Sequence, residues 1–245
     1  MRYLGLILMI FIFNMAYSQK SQWDSLYRKA VQTELKDGFE KSEKQYQYIL
    51  SKCPEHYDTH NAIISNYETY DTAVPILALL WENMIDYKSD YALENINKIN
   101  NLSHRYLEVK RKGTIVHVPP KFVKDWDLDY ENNMSPLDAG FIVTGAIDFS
   151  KEFKNLNSSE RMIGRFDKLF LHIDTLRSKH HGIYWDLYID FLSGLYKTEH
   201  FKTAMYLIMY KTGEKDIQFW VDNHSENIES FYKWRQSFIS KFIAK

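Results

Sequence analysis

The stretch Asp37–Pro54, DGFEKSEKQYQYILSKCP, decides how the rest of the chain is read. Asp37-Gly38 is a turn pair. Beyond it Phe39, Ser42, Tyr46, Ile49 and Leu50 recur at the spacing of one helical face, and Pro54 stops that helix or starts the next. Upstream, Ser21-Gln22-Trp23-Asp24 has the form of a capping box, and Trp23, Leu26, Tyr27, Ala30 and Val31 make an apolar face ending at the same turn. Two helices joined by so short a turn must pack antiparallel, as an αα-hairpin.

Working outward, the N-terminus has the form of a secretory signal. Arg2 precedes the apolar run Leu4–Phe13, and Ala16 and Ser18 supply the small residues of a cleavage site that would leave Gln19 first. A membrane anchor needs about 20 apolar residues, and Asn14, Gln19 and Lys20 interrupt this run too early. The run holds no cysteine for lipid attachment. Export to the periplasm or beyond is expected, with no integral span after cleavage.

Composition agrees with a packed helical chain. Of 245 residues, 45% are hydrophobic and 26% charged, which is globular rather than disordered. A net charge of −1 asks for neither nucleic acid nor an anionic bilayer. Cys53 stands alone, so packing must replace disulfides, and 15 Phe, 18 Tyr and 6 Trp supply the apolar bulk. Nine Gly and five Pro are too few for a strand-and-turn architecture.

A second hairpin is expected from Glu55, with Ala62, Ile63, Ile64 and Tyr67 on its first helix and a turn at Asp71-Thr72. Pro75 then takes a first helical position before the wholly apolar Ile76–Trp81. Ser89-Asp90 reads as the start of a helix with Tyr91, Leu93, Ile96, Ile99 and Leu107 inward. Residues 112–134 lose helical period and read as an irregular connector with one short strand. Ser135-Pro136-Leu137-Asp138 restarts a helix, and Gly140 and Gly145 mark close helix contact. Ser159-Glu160 opens a helix carrying Met162, Ile163, Phe166, Leu169, Phe170 and Ile173, which His180-His181-Gly182 breaks. Tyr184, Tyr188, Phe191 and Leu195 follow at helical steps, then a helix from Thr198 to Gly213 and a last one with Ile228, Phe231, Tyr232, Phe238 and Phe242.

The first hairpin resembles a tetratricopeptide repeat. Ala30, Phe39, Ser42, Tyr46 and Pro54 fall on its small, aromatic and proline positions, whereas Thr33 and Ile49 depart from it. The resemblance covers about one repeat of roughly 34 residues and fades in the second hairpin. It implies an all-α fold, TPR-like αα-hairpins followed by a helical bundle or α-α superhelix. The expected organisation is a signal peptide over 1–18, hairpins over 19–111, the connector over 112–134 and the bundle over 135–245. Such repeats act as scaffolds for a protein or peptide, so a non-catalytic binding protein of the bacterial envelope is expected, with Tyr46 and Tyr67 lining an open groove.

Candidate chemistry is sparse. His56 and His60 share a helical face near Cys53, but a structural zinc needs a fourth ligand that no second cluster supplies. Asp125, Asp127 and Asp129 begin like a calcium loop, yet Tyr130 and Pro136 stand where Gly and Glu are required. His180-His181, near Trp185 and Asp186, is the place for general acid–base work, though adjacent histidines at a helix end more often meet its dipole. No G-x-S-x-G, H-E-x-x-H, phosphate loop or C-x-x-C occurs. The chain leans away from an enzyme, and neither a metal nor a cofactor is expected. Trp126 and Tyr130, off any helical period, join Tyr46, Tyr67, His180 and His181 as binding candidates. The alternative expectation is a small-molecule-binding or hydrolase-like bundle with a pocket where the Asp125–Tyr130 loop meets His180 and His181.

Overall fold

The computed structural model describes residues 21–110 and 113–245, so the signal peptide expected over 1–18 lies outside the described residues. The fold is all-α apart from one two-stranded hairpin. The chain forms two compact units that divide after Thr59.

In the first unit, helix α1 is described over residues 21–37 and α2 runs Phe39–Lys52. Gly38 turns between them at φ 89°, a conformation that favours glycine. Ala30 and Ser42, both fully buried, are small enough to let the helices approach. The pairing is antiparallel: Tyr46 Oη donates to Glu34 at 2.7 Å, Gln45 Nε2 donates to Thr33 at 3.2 Å, and Trp23 lies 6.4 Å from Tyr48. At the far end His56 contacts Asp24 at 3.3 Å and Thr59 at 2.9 Å. The helical face over Phe39–Leu50 is thus the inner face of a hairpin.

Helix α3 runs Tyr57–Tyr67, and in the second unit α4 (Ala73–Ile85) is buried from Ala73 to Met84, as an all-round apolar helix must be. Helices α5 (Ala92–His104), α7 (Ser135–Gly145) and α11 (His200–Met209) pack on it. Its two polar residues are buried and tied to α5: Asn95 Nδ2 donates to Asn83 Oδ1 at 2.9 Å and to Glu82 Oε2 at 3.2 Å. Burial pushes the Glu82 carboxyl up to about 7. Outside this centre lie α8 (Ser158–Phe170), the short α9 (Ile173–Arg177) and α10 (Asp190–Tyr196), then α12 (Lys215–Asn223) and α13 (Ser225–Ile243). A π-helical stretch, Trp185–Ile189, leads into α10, and Tyr184, Tyr188, Phe191 and Leu195 are all buried there.

Several local expectations change. Helix α5 begins at Ala92 rather than at Ser89, which leaves Tyr91 before it, and its buried face runs through Ala92, Asn95, Ile96 and Ile99, which leaves Leu93 to the side; the two are 60% and 45% exposed. Leu107 belongs to a strand: β1 (Leu107–Lys110) pairs antiparallel with β2 (Gly113–Val116), and the short α6 (Pro120–Lys124) follows. Leu107 and Val116 pack with Phe122, Ala139 and Ile142, which seats the hairpin on α6 and α7. Pro75 is the third residue of α4, not the first. Helix α8 is capped by Asn157, which exchanges hydrogen bonds with Glu160.

Gly145 sits where α7 crosses α5, and a Cβ there would fall inside the van der Waals shell of the Ser103 carbonyl oxygen. Backbone cannot yield as a flexible side chain can. Gly145→Ala is therefore expected to cost about 2–3 kcal/mol in urea unfolding. Gly38→Ala, with open space around it but φ 89°, is expected to cost about 1 kcal/mol.

Candidate functional site

The segment from α6 to α7 loses helical period, yet it is closely held. Asn133, fully buried, is its hub. Its side-chain Nδ2 donates to the carbonyls of Asp125 at 2.5 Å and Leu128 at 2.7 Å, while its Oδ1 accepts from Ser135 N at 3.1 Å. The Asn133 carbonyl accepts from the Trp185 indole at 3.0 Å. Asn132, at φ 59°, donates from its backbone to the His181 carbonyl at 2.9 Å and accepts from Tyr184 N at 3.0 Å. Asparagine tolerates this left-handed conformation better than most residues. Gly182 is required opposite it, because any Cβ there would meet the Asn132 side chain.

These bonds bring the acidic loop and the histidine pair together. The two histidines face different surroundings. His180 is 6% exposed and stacks on Trp185 with ring centroids 4.9 Å apart. Burial holds its imidazole below the usual histidine range, with Asp129 and Asp127 opposing. His181 is exposed and reaches Asp129 at 3.2 Å. Above this base the loop carries Trp126, Leu128 and Tyr130, which are 38%, 50% and 44% exposed, among Asp127, Asp129 and Glu131.

Beside the loop lies a pair of carboxyls. Asp138 is buried, and its Oδ1 accepts from the backbone N–H groups of Thr72 at 2.8 Å and Ala73 at 2.6 Å. Asp138 therefore caps α4 from α7 instead of closing a capping box on its own helix. Burial, reinforced by the Asp71 charge, pushes the Asp138 carboxyl up to about 8, and burial also raises Asp71. Both shifts favour the protonated, neutral form of these carboxyls. Lys121 Nζ reaches Asp71 at 3.2 Å and lies 5.3 Å from the Tyr70 ring centre. Tyr130, 44% exposed, is pushed up by its partial burial, and a hydrogen bond with Ser135 opposes that shift.

The remaining candidates lie elsewhere. Tyr46 is fully buried inside the α1–α2 hairpin, where its ring supports the core and offers no groove wall. Tyr67 is half-buried against Tyr70 and Tyr184, with centroids at 5.5 and 5.9 Å. His60 contacts the Tyr188 hydroxyl at 2.8 Å. Among the described residues, no group of three or more His, Cys, Asp or Glu is placed to hold a metal ion. The roles of Asp71, Asp138 and Lys121 were invisible in residue order, because 67 and 50 positions separate Asp71 from its partners. Asn132-Asn133 ahead of a Ser-Pro helix start was the available signal. Comparison with protein-family models, with curated proteins and with solved structures gives no match.

Two outcomes follow from this geometry. Asn133→Ala would leave two carbonyls and an N–H without their partner. It is expected to cost about 1–3 kcal/mol and to speed hydrogen exchange across residues 125–135. The second concerns pH. A carboxyl whose pKa is raised by folding stabilises fully below its unfolded value of about 4. That contribution is lost as pH rises through about 8. The melting temperature is thus expected to fall across that window. Asp138→Asn keeps the capping oxygen and should flatten the dependence, which melts of both proteins at a series of pH values will check.

Proposed function

We propose that this protein is an exported, non-catalytic binding protein whose recognition surface is the acidic aromatic loop over residues 125–131, and that it takes a basic peptide segment bearing apolar side chains. The observation that carries this reading is the contrast within one loop. Asn132 and Asn133 hold its base against the His181–Trp185 turn, while Trp126, Leu128 and Tyr130 stay partly exposed on its surface. An ordered loop that presents aromatics has already met much of the entropic cost of binding. Tyr and Trp are the side chains that most often anchor a partner.

Charge supports the choice of partner. Asp127 and Glu131 flank the three apolar side chains, with Asp129 already at His181, so the loop sets acidic groups beside apolar ones for a peptide carrying both cations and apolar side chains. The tetratricopeptide-like hairpin at the N-terminus and the form of the N-terminal leader support a scaffold working in the envelope. His180 is buried in its stack on Trp185, so it supports the base of the loop rather than its exposed surface. No described helix is long and apolar enough to cross a membrane.

Fluorescence titration tests the reading with two short peptides of equal apolar content, one carrying Lys and Arg, the other Glu. The basic peptide is expected to bind, to weaken with added salt, and to lose at least about tenfold in affinity when Trp126 and Tyr130 are both replaced by Ala. Equal binding of the two peptides, or no effect of the double replacement, would overturn it.

A further inference from the structure

A second place in the molecule gathers positive charge in a concave surface. Between the β1–β2 hairpin, the 3₁₀ turn Ala146–Phe149 and the start of α8 lies a cleft of about 720 Å³. That volume falls within the range of small-molecule sites. Lys110, Lys151, Lys154 and Arg161 line it. Lys110 meets Glu108 at 3.2 Å, but Lys151 and Lys154 make no ion pair among the described residues. In a chain of net charge −1, cations crowded into one recess repel each other unless an anion joins them.

Among the described lining residues the one acid is already neutralised. Asp148, 7% exposed, lies between Arg165 Nε at 3.4 Å and His104 Nε2 at 2.9 Å. Arg165 is 2% exposed and is held from behind by Asn100 at 2.6 Å. The cleft floor is therefore braced and nearly neutral, Lys110 is met by Glu108, and the charges of Lys151 and Lys154 are left without an ion pair among the described residues. Phe149 adds an apolar wall. It lines the same cleft, is 43% exposed, and rests on the His104 ring at 5.2 Å. An exposed aromatic beside basic side chains suits a ligand with a flat ring and an anionic group.

We propose that this cleft binds a small phosphorylated molecule carrying a planar ring. Lys151, Lys154, Lys110 and Arg161 receive the phosphate oxygens, and Phe149 stacks against the ring. Phosphate is favoured because four cationic side chains line one space, which matches a group with several charged oxygens.

Calorimetric titration of the purified protein with ATP, inorganic pyrophosphate and adenosine tests the assignment. ATP is expected to bind best, pyrophosphate more weakly and adenosine least, with the two phosphates sensitive to salt. Lys151→Glu with Lys154→Glu is expected to weaken ATP at least tenfold. Both side chains are exposed and lie outside regular helices, so the melting temperature should stay unchanged. Phe149→Ala is expected to weaken ATP and to spare pyrophosphate. The proposal is overturned if neither ATP nor pyrophosphate binds, if adenosine binds as well as ATP, or if the charge-reversed protein binds ATP undiminished.

Discussion

The most buried helix of the second unit begins without a cap of its own. Thr72 stands at its N-terminus, yet the Thr72 hydroxyl makes no hydrogen bond, and the first N–H groups of α4 turn instead to Asp138. An apolar helix at the centre of a bundle has no water to satisfy those groups, so a partner must come from the protein. A substituted N-cap costs about 1 kcal/mol, and more when the freed N–H groups are buried. This bond fixes α7 against α4, and much of the rest follows from it.

Fixing α7 also fixes what precedes it. Asn133 and Ser135 lie just before or at the helix start, and Asn133 gathers the loop carbonyls and the Trp185 indole around that point. Lys121 returns from α6 to Asp71, one residue ahead of Thr72. The connector is anchored at its start by the apolar cluster around Phe122, and beyond Lys124 it is ordered mainly by a few polar contacts. Loops held this way can leave large apolar side chains in water, because their own packing does not need them. Trp126, Leu128 and Tyr130 are the result. The basic cleft follows the same logic. Asp148 and Arg165 settle their charges inside, and the surrounding lysines remain outside.

Periodicity was a reliable guide where burial is one-sided. Phe39 to Leu50, Met162 to Phe170 and Tyr184 to Leu195 follow helical faces whose inner members are buried. It misled in α5: the buried face runs through Ala92, Asn95, Ile96 and Ile99, so Leu93 lies about a quarter turn off it and Tyr91 precedes the helix. It was also silent on whether a face is covered. Tyr46 looked suited to a groove, yet it is closed in by its own hairpin through Tyr27, Phe39 and Glu34. The meeting of the Asp125–Tyr130 loop with His180 and His181 was anticipated, but not the asparagines that bring it about.

Residue order alone was enough for the helical class, the turn at Asp37-Gly38, the buried character of Ile76–Trp81 and the close approach at Gly145. Each rests on interactions within a few residues or on the absence of a side chain, which local spacing records. Packing alone decided that Asp138 serves α4, that burial raises the carboxyls of Asp71 and Asp138, and that four distant cations line one cleft. Those features depend on residues dozens of positions apart. Their energies come from desolvation and charge proximity, and neither exists until the helices have met.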